Sequence, residues 1–212
     1  MKKSIVPFLK SISDLGMTID VETESLLTQL LTLQVVPRRT KIVTVGQVPN
    51  AIYFVLKGCV RKYFFKNDSF EPTEVNSLFF IENDFFSIFD CFFKQQPSLQ
   101  VLESVEPCRL LSLSYENYRK LLTAKPLFFN ELTARFMIEQ YANMKDVHST
   151  FLLLNPEERY ENFIQNSPHL SNRISQKYLA GYLGVSEKSL SRIKKRIYNK
   201  GWKLLKLSAN FP

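Results

Sequence analysis

Residues 176–196, Gln-Lys-Tyr-Leu-Ala-Gly-Tyr-Leu-Gly-Val-Ser-Glu-Lys-Ser-Leu-Ser-Arg-Ile-Lys-Lys-Arg, constrain this chain more than any other stretch. Two helices that cross steeply need a small residue where their backbones approach, and Ala180 supplies one. The chain must then reverse within a few residues, which Gly184 permits because it has no Cβ. Leu179, Leu183, Val185, Leu190 and Ile193 fall at helical intervals that close a small core between the two helices. Ser175 and Ser186 stand just before each helix, where N-caps belong. Asn199-Lys200-Gly201 reads as a glycine stop for the second helix. The pattern predicts a helix-turn-helix.

With Leu190, Ile193 and Ile197 turned inward, the helical repeat turns Glu187, Lys188, Ser191, Arg192 and Lys195 outward. Such spacing also occurs in helical hairpins that never meet nucleic acid, so charge has to decide. Residues 156–212 contain 11 Lys and Arg against 4 Asp and Glu, whereas residues 1–155 contain 17 against 16. Nearly all of the net charge of +8 therefore lies in the last quarter of the chain. A solvated face with no polyanionic partner more often carries mixed signs, so the asymmetry predicts phosphate contact with double-stranded DNA. Arg192 is expected to read a base directly, because its planar fork suits guanine; Lys188 is a second base or phosphate contact, and Glu187 would accept from cytosine. Lys177, Lys194, Lys195, Arg196 and Lys200 are assigned to the phosphate backbone, and Ser175 and Ser186 to capping with phosphate contacts as a by-product.

At 212 residues, with 45% hydrophobic and 23% charged, the chain can bury one ordinary core and a smaller second one, so two domains are expected. Cys59, Cys91 and Cys108 are odd in number and dispersed, which fits a reducing interior and falls short of the four clustered thiolates of an iron-sulfur site. The Met1-Lys2-Lys3 start is followed by Lys10 and Asp14, which interrupt any signal-peptide core, and apolar windows such as Leu78 to Ile81 are far too short to span a membrane. A cytoplasmic protein with no membrane partner is expected.

Along the chain, the first 35 residues read as helical: Asp20 caps a segment with Glu22 and Glu24 in its first turn and a stripe of Leu26, Leu27, Leu30 and Leu31. From Pro37 to Leu113 short β-branched and aromatic runs take over, at Lys41–Val45, Ile52–Leu56, Cys59–Phe65, Glu74–Phe80, Leu99–Glu103 and Arg109–Leu113. Gly46 and Gly58 stand at turns between them, which suggests an antiparallel sandwich or barrel. Helix returns after Ser114, with Pro126 marking a restart that runs to about Leu154. Asn155-Pro156-Glu157-Glu158 opens a fresh helix with a cap, a proline at its first position and acids in its first turn. Tyr160, Phe163 and Ile164 would pack beneath the helix-turn-helix. Beyond Gly201, Trp202 to Leu207 is expected as one strand of a rudimentary wing. Met137, Tyr141, Met144, His148 and Phe151 recur at alternating steps of four and three, the seam of a two-helix packing. A homodimer seam and packing on the chain's own β domain both fit this stripe; a helix of about 40 Å, at about 1.5 Å per residue, favours the dimer.

The whole layout resembles the Crp/Fnr family of bacterial transcription regulators. The resemblance is carried by Val45-Gly46-Gln47-Val48-Pro49-Asn50-Ala51-Ile52-Tyr53-Phe54-Val55-Leu56-Lys57-Gly58-Cys59-Val60-Arg61 and by Ile174 to Lys195. It implies an α+β chain: an N-terminal antiparallel β-roll (double-stranded β-helix, cyclic-nucleotide-binding-like) with flanking helices over 1–125, a long dimerisation helix over 126–154, and a winged helix-turn-helix over 155–212. It implies a homodimer that activates or represses transcription at a two-fold symmetric site, brings RNA polymerase in as a partner, and puts Arg192 where family members commonly contact a guanine. Members that bind cyclic AMP use a cassette of Gly-Glu followed about ten residues later by Arg-Ser/Thr-Ala. The matching positions here are Ser87-Ile88 and Ser98-Leu99, so neither the ribose acceptor nor the phosphate cation is present. Tight cyclic AMP binding is not expected, because a phosphate or ribose buried without its partner costs several kcal/mol.

Phe79, Phe80, Phe85, Phe86, Phe89, Phe92 and Phe93 make this region unusually aromatic, either to fill the β-roll core or to line a site for an unidentified small ligand. The two histidines, His148 and His169, have no supporting ligand pattern for haem, and the β segment holds no histidine for a cupin-type metal, so neither a cofactor nor a metal is expected. No nucleophile elbow, phosphate-cradling loop or Cys/His pairing points to an enzyme. The remaining rival is a β-roll regulatory module whose basic helices meet an acidic protein surface instead of DNA.

Overall fold

A computed structural model describes the backbone of residues 2–66 and 73–208, with side chains over 4–66 and 73–199. The chain divides into two compact units, 1–145 and 146–212. The first begins with helices α1 (Lys2–Asp14) and α2 (Val21–Leu30), continues through eight strands interrupted by α3 (Phe89–Lys94), and closes with α4 (Tyr115–Ala124) and the start of α5 (Pro126–Leu153). The strands are β1 (Thr32–Val36), β2 (Lys41–Val43), β3 (Ala51–Lys57), β4 (Val60–Lys66), β5 (Thr73–Phe80), β6 (Phe85–Phe86), β7 (Gln100–Ser104) and β8 (Cys108–Ser114). They form two four-stranded sheets of order β1-β8-β3-β6 and β2-β7-β4-β5, and every pairing is antiparallel.

Alternation along β3 and β8 explains why these central strands are buried on both faces. Tyr53, Val55 and Leu110 enter a core shared by both sheets with Val43, Val60, Phe80, Phe86 and Leu102. Phe54 and Leu111, paired in register, point the other way into a second cluster with Ile5, Phe8 and Ile12 of α1, Leu27 of α2, Leu121 of α4 and Phe129 of α5. Each fully buried Phe or Leu stabilises the fold by about 1.5–3 kcal/mol, so the helices are fastened to the sheet by its outer apolar face. The turn between β3 and β4 admits only glycine: Gly58 has φ +110, and a Cβ there would lie 2.6 Å from Cys108 Sγ and 2.8 Å from the Pro107 carbonyl.

Several expectations from the sequence hold locally. Asp20 accepts from the Thr23 amide at 2.7 Å as the N-cap of α2, and Ser114 caps α4. Asn155 closes a full capping box with Glu158 at the start of α6 (Pro156–Asn166). Two do not hold. Helix does not continue through residue 35, because Thr32–Val36 is β1, a short β-branched run whose ladder partner is β8. The second concerns the wing. After a 3₁₀ turn at Leu170–Asn172, α7 (Gln176–Leu183) is followed by α8, which runs Glu187–Ser208 without a break at Gly201. Trp202 to Leu207 is therefore helix and not a wing strand. Lys and Leu are strong helix formers, an interior glycine costs only about 1 kcal/mol, and among the described residues of the second unit there is no strand for it to pair with.

Candidate nucleic-acid interface

The helix-turn-helix is built as its sequence dictates. Leu179, Ala180, Leu183, Leu190 and Ile193 are buried between α7, α8 and α6, where the Phe163 and Tyr182 rings pack tilted with centroids 5.7 Å apart. Val185 and Ile197 are only half-buried at the margin of this core. Gly184 takes φ +68, a left-handed conformation that favours glycine in the turn, and a Cβ on it would make a tight contact of 3.2 Å with the Phe151 ring. Ser175 accepts from the Tyr178 amide at 3.2 Å, and Ser186 accepts from the Ser189 amide at 3.1 Å while its hydroxyl meets that of Ser189 at 2.9 Å. Gln176 donates to the Glu187 carbonyl at 3.3 Å, tying the start of α7 to the start of α8.

One positioning residue escaped the sequence reading. Arg159 of α6 donates from Nε to the Leu183 carbonyl at 3.1 Å and from Nη1 to the Leu154 carbonyl at 2.9 Å, with its guanidinium 4.8 Å above the Phe151 ring. A single cation thus satisfies terminal carbonyls of two helices, where the helix dipole also favours positive charge. Nothing in a linear pattern marks it, because its partners lie 5 and 24 residues away.

The cationic row divides into free and engaged members. Glu187, Lys188, Arg192 and Lys195 are exposed on α8, Lys177 is exposed on α7, and Ser191 is half-buried. Among the described residues none of Lys188, Arg192 and Lys195 has an ion pair. Arg196, by contrast, is paired with Glu157 of α6 at 2.8 Å, and Lys194 lies half-buried 5.9 Å from the Tyr160 ring centroid. The helical repeat therefore places one side of α8 outward and turns these two cations back toward α6. The Lys200 side chain lies outside the described residues.

On α5, Tyr141, Met144, His148 and Phe151 are exposed and Met137 is half-buried. Packing of the helix on its own sheet is carried instead by Phe129, Leu132 and Phe136.

In the β-roll, Ile88 is 2% exposed and belongs to the core between the sheets. Ser98 is fully buried, with its hydroxyl accepting from the Gln100 amide at 2.8 Å and donating to the Gln100 carbonyl at 3.1 Å. Ser87 donates to the Ala51 carbonyl at 2.9 Å, and Leu99 is exposed. The neighbouring rings mostly serve packing: Phe86 stacks on Tyr53 and Phe80, Phe85 meets Phe8, Phe54 and Phe136, and Phe92 meets Tyr115 and Tyr118. Charge does enter the roll at two positions that the sequence reading passed over. Arg61 is buried with Glu74 at 2.7 Å, Glu103 at 3.2 Å and Asn76 at 3.1 Å, its guanidinium 3.9 Å from the Tyr63 ring centroid. Lys62 lies in register with Leu78 and Leu102, and burial pushes its ammonium below the ordinary lysine range while the charge of Asp90 pulls it back up.

No protein-family model matches the sequence and no curated protein matches it. Solved structures do. FixK2 from Bradyrhizobium japonicum superposes with a TM-score of 0.69 at 15% identity, covering 81% of this chain and 86% of its own. CLP, the c-di-GMP responsive global regulator of Xanthomonas campestris, gives 0.66 at 18% identity, covering 86% and 93%. A structure from Eubacterium rectale assigned to the Crp/Fnr family of transcriptional regulators gives 0.67 at 14% identity, covering 86% and 85%. A cyclic-nucleotide-binding domain from Methylobacillus flagellatus matches over 68% of this chain, with a TM-score of 0.58. The likeness, at 14–18% identity for the three regulators, is one of fold: the chain has the fold of the Crp/Fnr regulators.

Proposed function

We propose that this protein is a sequence-specific, DNA-binding transcription regulator that works as a cytoplasmic homodimer and does not respond to cyclic AMP. The observation that carries the reading is the exposed row Lys188, Arg192 and Lys195 on α8, held outward by the buried Leu190 and Ile193. A guanidinium with no intramolecular anion is available for a base edge, and flanking ammonium groups suit phosphates. The fold shared with known regulators supports the same assignment. Ser175, Ser186 and Ser191 are assigned as supporting contacts, and RNA polymerase is the partner such a regulator would address.

Dimerisation is supported by the exposed Tyr141 and Met144 on α5, with His148 and the partly exposed Phe151 continuing the stripe, since large apolar groups at coiled-coil spacing seek a partner helix. Two copies would present two α8 helices to successive major grooves, roughly 34 Å apart. Insensitivity to cyclic AMP is supported by Ile88 and Ser98, one in the core and the other bonded to its own chain, so neither offers a carboxylate or a cation.

Selection of bound sites from a random duplex pool tests the reading. A two-fold symmetric consensus with half-sites one helical turn apart is expected; recovery of unrelated sequences, or retention on DNA and acidic protein alike, overturns it. Calorimetry with cyclic AMP should show no binding at micromolar concentrations.

A further inference from the structure

The space between the outer face of the β1-β8-β3-β6 sheet and the helices that cover it is not completely filled. A cavity of about 70 Å³ remains. Phe54 of β3 and Leu111 of β8 form its floor, Phe8 of α1 one wall, and Phe129, Leu132 and Phe136 of α5 its roof. Apart from Tyr53, Tyr118 and Thr133, every lining residue is Phe, Leu or Ile, and none is charged.

Two polar groups at the edge are already engaged. The Tyr118 and Thr133 hydroxyls lie 3.4 Å apart, and Thr133 also donates to the Phe129 carbonyl at 2.7 Å. A buried water needs about two to four polar partners, so the cavity offers it a poor site. Close-packed interiors hold few voids of this kind, and the atoms around one lose dispersion contacts on one side. An apolar guest restores those contacts without leaving a polar group unsatisfied, whereas a charged guest would have to shed its hydration with no counter-charge in the wall.

We propose that this cavity binds a small, uncharged, hydrocarbon molecule no larger than a single ring or a short alkyl chain. The site is distinct from the core between the sheets and does not depend on the DNA reading. Its guest would touch Phe129, Leu132 and Phe136, one face of α5.

Benzene added to the full-length protein is the probe, followed by methyl resonances. The Leu111, Leu113 and Leu132 methyls should shift saturably, with one benzene per chain, and the melting temperature should rise with benzene concentration. Benzoate, the same ring with a charge, should produce no such shift. Leu132→Phe fills the space and should weaken benzene binding by about tenfold or more while resonances away from the cavity stay in place. Absence of a saturable shift in the wild type, equal affinity for benzoate, or unchanged benzene affinity in a folded Leu132→Phe protein overturns the proposal. If that variant does not fold, the two wild-type titrations still decide.

Discussion

Arg61 and Arg192 carry the same guanidinium into opposite circumstances. Arg61, 2% exposed on β4, is held by two carboxylates, a carboxamide oxygen and an aromatic face. Arg192, on α8, is exposed, and no carboxylate of the described residues pairs with it. The first unit neutralises its buried charge from within, while in the second Lys188, Arg192 and Lys195 have no ion pair among the described residues. A buried cation must find its counter-charge within its own fold because desolvation is expensive; an exposed one can wait for a polyanion. The contrast teaches that position, not residue type, separates a structural arginine from one that we propose reads DNA.

The largest effect is expected at the buried cluster. Glu103→Ala leaves Arg61 short of an anion and removes the acceptor of the Tyr63 hydroxyl, at a cost of about 3–5 kcal/mol in urea unfolding. A loss under about 1 kcal/mol would mean that the cluster behaves like a surface pair, and the comparison with Arg192 would fail.

Arg192→Ala comes next and should act on a different observable. Stability should stay within about 0.5 kcal/mol, whereas affinity for the selected site should fall by about 1–3 kcal/mol with relaxed preference at one base pair. Competition among site variants measures this; an equal loss on every sequence would reassign Arg192 to a phosphate.

The smallest effect sharpens the comparison inside the β-roll. Burial lowers the Lys62 pKa from its ordinary value of 10.5, so between the two values the unfolded chain binds the proton more readily than the folded one. Stability therefore gains from this group as pH climbs through that window and is held down by it at neutral pH. Lys62→Met should abolish that alkaline gain and raise the melting temperature at neutral pH. A melting temperature that falls, or an unchanged pH dependence, would show that Lys62 has a stabilising partner.

Much of both units was legible in the linear chain because its signals are local. Ser175, Ser186, Asn155 and Asp20 cap helices through amides two or three residues away, and the Leu179, Leu183, Leu190 and Ile193 spacing closes the helix-turn-helix core. The readings that failed depended on partners that a local pattern does not contain. Thr32–Val36 is a strand because β8, nearly eighty residues on, pairs with it, and Trp202–Leu207 is helix because no such ladder exists for it among the described residues. Arg196, which its charge assigns to the phosphate backbone, also has a partner that no local pattern contains: Glu157, 39 residues earlier, pairs with it.

The sequence by itself determined where helices begin, which residues alternate into strands, and where positive charge accumulates, since each of these follows from backbone geometry or composition within a few residues. Only the tertiary structure decided which charges are satisfied internally. Arg61 meets Glu103 and Arg159 meets Leu183 across loops that no period spans, and an apolar cavity survives between sheet and helices because whole elements, rather than neighbouring residues, set how closely they pack.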